Sequence, residues 1–358
     1  MKIFAINSSP RSRGQSKTDL MLNQLVEGMR DAGARVEVVN LRAKNIKNCI
    51  GCYTCWTKTP GKCLHKDDMT HELYQKWQES DLVVYATPLY NYAVNATLKA
   101  FIERTLPSLE PFFEICDGRM LHPLRHKIPA VVLLSVSGMP DEGHFTPVSE
   151  HFNYMLASPG RKLVAEIYRP AAEAMTNPFL KEKSNDILDA TKQAGRELVQ
   201  SLTIGPETMA RIRQPIVEPE IFAVMANIYW KTCIAEAVTP KEFQDKRMVP
   251  RPDSIKEFML LLPFGVNSEA AGEQQIILQF NFTGEVTDSC YFIIEKDKID
   301  AKKGTKENPD ITIATPFEIW VDIMAGKIDG QQMFLEQKYK VDGELELMIK
   351  LFQKENNE

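Results

Sequence analysis

The chain is 358 residues long, enough for about two domains of roughly 150 residues each. With 44% hydrophobic and 25% charged residues it has the composition of a folded protein with real cores, which excludes disordered and collagen-like classes. A net charge of −5 without any Lys/Arg stripe argues against a nucleic-acid partner.

In chain order, short and nearly continuous apolar runs at residues 2–7, 36–41, 82–86, 130–136 and 163–168 predict buried parallel strands. Helical patterns at 19–31, 67–79, 93–105, 144–156 and 179–202 alternate with them. Strand followed by helix five times over predicts an α/β fold, an open doubly wound sheet with right-handed crossovers. Ligands of such sheets sit at the carboxyl ends of the strands.

Three loops at those ends carry ligand-binding chemistry. The first runs from Asn7 to Thr18, and the hydroxyls of Ser9, Ser12, Ser16 and Thr18 with the N–H groups opening the next helix can surround a dianion. Arg11 or Arg13 can add a charge-assisted contact, and Gln15 lies in the same loop. The alternative reading is a polar loop with a Ser or Thr helix cap. Neither G-x-G-x-x-G nor G-x-x-x-x-G-K-[ST] is present, so the dinucleotide and nucleoside-triphosphate fingerprints do not fit. The second loop is Thr87, Pro88, Leu89, Tyr90, Asn91, Tyr92; the third runs from Ser135 through Ser137 and Gly138 to His144. A flat heteroaromatic ring with a phosphorylated tail would use all three, with its phosphate in the first and its ring at the others. Tyr90 can stack on that ring, or simply cover the sheet edge. His144 is expected at a surface helix start.

Ser8-Ser9-Pro10-Arg11 followed by Gly14-Gln15-Ser16, then Thr87-Pro88-Leu89-Tyr90 followed by Ala96, Lys99, Phe101 and Arg104, resembles the flavodoxin-like NAD(P)H-dependent FMN reductases over about the first 200 residues. The family pattern has Gly where this chain has Ser8, and Asn where it has Gln15. The resemblance implies non-covalent FMN with its phosphate in the first loop, NAD(P)H as electron donor, and a homodimer or higher homo-oligomer.

Four of the seven cysteines crowd into a C-x2-C-x2-C-x7-C run at Cys49, Cys52, Cys55 and Cys63. Consecutive three-residue spacing lets three thiolates wrap a compact inorganic cube, and Pro60-Gly61 lets the chain turn back to supply the fourth. Zinc and bare redox thiols are the competing readings. The spacing resembles that of the iron-sulfur flavoproteins, a branch of the same fold carrying one [4Fe-4S] cluster. Asp67 and Asp68, just beyond, are expected to cap the following helix. The odd cysteine count, the absence of an apolar run of about 18 residues and an opening without signal-peptide features predict a cytoplasmic protein with no membrane span. Cys116, Cys233 and Cys290 are isolated and expected to be structural.

After a domain at 1–205, residues 206–250 are expected to form a helical extension, with an apolar helix at 222–237, and a linker ending at Pro250 to Asp253. From 251 to 358 the pattern becomes helix 255–261, strands 275–283 and 290–295, a charged turn 296–308, strand 310–315, helices 316–324 and 331–336, strand 339–341 and helix 345–352, which predicts an α+β domain with a mostly antiparallel sheet. Pro309-Asp310-Ile311-Thr312-Ile313, Gly326-Lys327-Ile328-Asp329 and Tyr339-Lys340-Val341-Asp342-Gly343-Glu344 resemble the sterol carrier protein family of lipid-binding modules over roughly 100 residues. That resemblance implies an apolar tunnel, for which Phe280, Phe282, Phe292, Ile294, Trp320, Ile323, Met324, Phe334 and Met348 are the candidate lining, although the same side chains would make any α+β core.

The expected function is therefore an FMN oxidoreductase fed by NAD(P)H or a ferredoxin-like carrier, with a [4Fe-4S] cluster, and with a lipid or quinone at the C-terminal domain. A reductase without the cluster and a non-catalytic lipid-binding scaffold are the alternatives. No Ser/His/Asp or paired-carboxylate constellation is present and no side chain is assigned as catalytic, because the redox chemistry would be the cofactors' own.

Overall fold

The apolar runs of the first half become the strands of a single parallel sheet. The computed structural model describes residues 1–12 and 14–352; Arg13, one of the two arginines expected near a phosphate, lies outside the described residues. β1 (Lys2–Asn7) leads through the polar loop to α1 (Lys17–Asp31) and β2 (Arg35–Asn40). The cysteine-rich loop and a π turn at Met69–Leu73 precede α2 (Tyr74–Gln78), β3 (Leu82–Tyr90), the two-residue β4 (Ala93–Val94) and α3 (Ala96–Glu103). A small hairpin, β5 (Glu114–Cys116) with β6 (Arg119–Leu121), comes before β7 (Ala130–Val136), α4 (Thr146–Leu156), β8 (Leu163–Arg169), α5 (Lys181–Ser201) and α6 (Pro206–Arg213). The parallel strands lie in the order β2-β1-β3-β7-β8, the doubly wound arrangement of a flavodoxin-like fold. Both faces are covered, so the middle strands β1, β3 and β7 are buried almost throughout.

Two local expectations change. Residues 88–90, read as a loop, extend the third strand, which then folds back on β4 with Leu89 opposite Val94 and Tyr90 opposite Ala93. Asn91 and Tyr92 make the turn, both at positive φ (47° and 62°), which is the backbone signature of a tight hairpin. Accordingly the helix expected from residue 93 begins at Ala96, capped by the Asn95 side chain, which accepts from the Leu98 N–H.

The structure divides into two units, Met1–Pro219 and Glu220–Glu358. α6 belongs to the first because the buried Arg169 at the end of β8 donates through Nη1 to the carbonyls of Ile212 (2.7 Å) and Gln214 (3.0 Å). The second unit opens with α7 (Pro219–Ala235), α8 (Pro240–Asp245) and α9 (Ile255–Leu261). It continues with β9 (Ile276–Thr283), β10 (Ser289–Glu295), β11 (Lys298–Lys303), β12 (Ile311–Pro316), α10 (Phe317–Met324), α11 (Gly330–Leu335), β13 (Lys340–Gly343) and α12 (Leu345–Phe352). Its sheet runs β11-β10-β9-β12-β13, antiparallel except for the β9–β12 pair, which makes it an α+β domain. β11 lies inside the stretch read as a charged turn.

Of the candidate tunnel residues, Phe280, Phe282, Phe292, Ile294, Trp320 and Met348 are buried, and Ile323, Met324 and Phe334 pack against them half-buried. The rings touch one another: Phe258 of α9 lies 5.1 Å from Phe280 and 4.9 Å from Phe282, and Trp320 lies 5.2 Å from Phe280. Among the described residues no helix is long and apolar enough to cross a membrane.

Candidate functional site

The polar loop after β1 is held by a buried hydrogen-bond net. Ser8 N–H reaches the Ala86 carbonyl in the middle of β3 (2.9 Å), Asn95 Nδ2 donates to the Ser8 carbonyl (2.6 Å), and Ser9 N–H donates to Asn7 Oδ1 (2.9 Å). Ser16 is the N-cap of α1: its hydroxyl accepts from Asp19 N–H (3.0 Å) and donates to the Ser9 hydroxyl (2.9 Å). The first intrahelical bond of α1 runs from Leu20 N–H to the Ser16 carbonyl, so the N–H groups of Lys17 and Thr18 face the loop side at the positive end of a fifteen-residue helix.

Around this cup Ser9, Arg11, Lys17, Thr18, Pro88, Leu89, Tyr90, Val136, Ser137, Gly138, Ala172 and Glu173 line one open cleft. Three strand ends thus meet as the α/β topology requires. Of the sequence-expected residues, Ser9, Arg11, Thr18, Pro88, Leu89, Tyr90, Ser137 and Gly138 are brought together there. Four do not line it: Gln15 closes a turn on the Ser12 carbonyl, Ser16 acts behind Ser9, Asn91 occupies the exposed hairpin turn, and Ser135 is fully buried in β7. Lys17, Val136, Ala172 and Glu173 were missed. Glu173 follows β8 and pairs with both Arg11 (2.6 Å) and Lys17 (3.5 Å), an arrangement that only the folded chain creates. His144 stands outside the cleft, stacked on Tyr92 with ring centroids 5.7 Å apart.

The chemistry of these donors fits a phosphorylated flavin. Hydroxyls, helix-start N–H groups and two cations are the groups a dianion requires, and Pro88, Leu89 and the half-exposed Tyr90 offer a flat apolar flank.

Cys49, Cys52, Cys55 and Cys63 line a second, shallow hollow, together with Ile50, Tyr53, Leu64, His65, Glu103, Arg104, Leu106 and Pro107. Gly51, Tyr53 and Gly61 at positive φ bend the loop around it, and Gly61 N–H closes onto the Cys55 carbonyl (2.9 Å). Trp56 anchors the loop, its indole N–H donating to the Leu106 carbonyl (3.4 Å). All four thiols are free of disulfides. Burial, then the neighbouring Cys63, push the Cys55 thiol up, whereas hydrogen bonding to Thr54 pulls the exposed Cys52 thiol down. Among the described residues no three His, Cys, Asp or Glu side chains converge on a point that could hold a single ion.

Asp67 does more than the helix-capping role expected of it. It accepts from the Thr70 N–H (3.2 Å) but also pairs with Arg104 at the end of α3, Nη1 to Oδ2 at 2.7 Å, both side chains buried. Burial alone would raise its pKa; Arg104 and the Lys47 and Thr70 N–H groups reverse that and hold the carboxyl well below the usual range. α3 therefore joins both places. Asn95 at its start holds the cleft loop, Arg104 at its end lines the thiol hollow, and about 1.5 Å of rise per residue sets these two ends roughly 14 Å apart.

Residues 1–154 match the NADPH-dependent FMN reductase family and residues 268–353 the SCP-2 sterol transfer family. An iron-sulfur flavoprotein of Archaeoglobus fulgidus is 40% identical over 107 residues, 30% of this chain and 46% of that protein. An iron-sulfur flavoprotein of Methanocaldococcus jannaschii is 30% identical over 156 residues, 44% of this chain and 72% of that protein. The chain thus spans about half the length of the first relative and under three quarters of the second. Among solved structures, the NAD(P)H:quinone oxidoreductase from Methanothermobacter marburgensis is similar at 19% identity, covering 55% of this chain and 96% of that one with a TM-score of 0.41. This chain belongs to the iron-sulfur flavoprotein family.

Proposed function

We propose that the chain is an FMN-dependent oxidoreductase that takes electrons from NAD(P)H or a reduced ferredoxin-like carrier and, with a [4Fe-4S] cluster held by Cys49, Cys52, Cys55 and Cys63, delivers them to an apolar acceptor. The observation that carries this reading is the cleft where the loops after β1, β3 and β7 meet. Bound flavin would supply the conversion between two-electron and one-electron chemistry, and a cluster one-electron storage. The chain's own residues bind and orient: Ser9, Thr18 and the start of α1 take the phosphate, Arg11 and Lys17 balance its charge, and Pro88 to Tyr90 with Ser137 and Gly138 border the ring. Gln15, Ser16, Asn91 and Ser135 act from behind, shaping these loops. The four thiols need a reducing compartment such as the cytoplasm.

The second unit is proposed to bind the acceptor, a quinone or lipid. Its match to the SCP-2 family and the half-buried Ile323, Met324 and Phe334 beside the core support this, and its packed aromatic rings imply that an acyl chain must displace side chains to enter. A homodimer or higher homo-oligomer is proposed from the hairpin region, where Phe112, Phe113, Ile115 and Met120 are all highly exposed.

Full-length protein prepared without oxygen tests the reading. Expected are bound FMN that NADH, NADPH or reduced ferredoxin bleaches, and about four iron and four sulfide per chain. Flavin without iron would leave a cluster-free reductase, and a colourless chain that takes up no FMN would remove the enzyme.

Glu173 yields a further expectation. By neutralising Arg11 and Lys17 it competes with any phosphate for them, and its exposed pair with Arg11 is weak. Glu173→Gln should tighten FMN binding about two- to fivefold, read by flavin fluorescence quenching on apo-protein. Unchanged or weaker binding would show that these cations do not meet the phosphate.

A further inference from the structure

Arg104 is buried, 2% exposed, and four of its contacts come from its two terminal nitrogens. Nη1 donates to Asp67 Oδ2 (2.7 Å) and the Lys47 carbonyl (2.6 Å), and Nη2 to Asp67 Oδ1 (3.1 Å) and Thr70 Oγ1 (3.1 Å). Its Nε–H has no acceptor among the described residues. A structural clamp on Asp67 accounts for the fork but not for this donor, and a buried N–H left unpaired in a native fold calls for a missing partner. The side chain lines the hollow of the four thiols. Burial works against its charge, and Asp67 and then Cys63, the latter by its charge and by its side chain lying within hydrogen-bonding reach of the guanidinium, favour it strongly enough to win, so the Nε–H that finds no well-aligned acceptor sits beside a thiol.

We propose that Arg104 is a positioning residue that tunes the redox centre at the cysteines: its Nε–H donates to a sulfur of that centre, and its charge, set by Asp67, raises the reduction potential. This rests on the cluster reading above. Four thiolates around an iron-sulfide core carry net negative charge that grows on reduction, so an adjacent guanidinium and an N–H···S bond favour the reduced form. Asp67 works against that effect by cancelling part of the positive charge. The two members of one buried pair therefore push the potential in opposite directions, which a purely structural pair would not do.

The test is an EPR-followed redox titration of full-length protein purified without oxygen, with iron and sulfide assayed on each sample. Arg104→Lys keeps a cation beside Asp67 but removes the Nε–H, and Asp67→Asn keeps the shape of the partner while leaving the guanidinium uncompensated. Arg104→Lys avoids the unpaired buried carboxylate that Arg104→Ala would leave, and Asp67→Asn retains an amide oxygen that still accepts from the guanidinium. Arg104→Lys should lower the midpoint and Asp67→Asn should raise it, each by about tenfold in the oxidised-to-reduced ratio, or about 59 mV for one electron. Midpoints that stay within about twofold of wild type, or that both move the same way, overturn the proposal. A wild-type chain without iron and sulfide would instead overturn the cluster reading beneath it, so the two failures are distinguishable.

Discussion

Cys55→Ser protein, prepared without oxygen, should lose essentially all iron and acid-labile sulfide while keeping its FMN. Cys55 is the most enclosed of the four thiols, 7% exposed, and the Gly61 N–H holds its carbonyl so that the loop folds back toward Cys63. Serine there offers a harder, shorter ligand in a site that burial makes intolerant of adjustment. The flavin should be spared because the thiol hollow and the β1 cleft share no lining residue. Visible absorbance with colorimetric iron and sulfide assays reads both outcomes on one sample. Cys116→Ser, on the β5–β6 hairpin away from that hollow, is the control and should hold wild-type iron. Wild-type iron in Cys55→Ser would remove the cysteine run as the metal site, and joint loss of iron and flavin would show that the two sites depend on one another.

The sheet was legible because strands buried on both faces are written as unbroken apolar runs, and Lys2–Asn7 and Ala130–Val136 fall where those runs begin and end. β3 was cut short because Pro88 looks like a terminator, yet here it closes the parallel pairing with β7 opposite Val136. β11 was hidden by its own lysines: Lys298–Lys303 is an edge strand, and edges carry charge to stay unpaired, so its short alternation of half-buried Ile299 and Ala301 passed for a turn. At the sites, spacing along the chain showed the cysteine run and the hydroxyl-rich loop. It could not show Asp67 meeting Arg104 or Glu173 meeting Arg11 and Lys17, since each pairing joins residues distant in the chain whose approach only the fold decides. Asn95 belongs to the same class: as a helix cap it has a local signal, but its grip on the Ser8 carbonyl does not.

Two glycines carry the other large effect. α1 and α5 pack so closely that a methyl group on Gly195 would stand 2.1 Å from the Leu25 carbonyl oxygen and 2.8 Å from the Met29 nitrogen, and one on Gly28 would stand 1.7 Å from the Lys192 carbonyl oxygen. These are backbone atoms, which no side-chain rotation relieves, so the helices themselves must part. Gly195→Ala should cost about 3 kcal/mol, at the upper end for overpacking a core. The melting temperature should fall by roughly 6–12 °C, measured by scanning calorimetry on apo-protein. Gly205→Ala is the comparison: its nearest neighbour would be Glu197 Oε2 at an ordinary 3.5 Å, and losing a glycine helix cap costs under about 1 kcal/mol. The damage should reach the cleft as well, because α1 presents Lys17 and Thr18 to it from its first turn, with Ser16 as the cap that holds Ser9. Pushing α1 off α5 tilts that turn away from β3 and β7, so Gly195→Ala should weaken FMN binding as well as lower the melting temperature. A variant that melted early yet bound FMN at full strength would show that the β1 loop holds its geometry without α1 behind it.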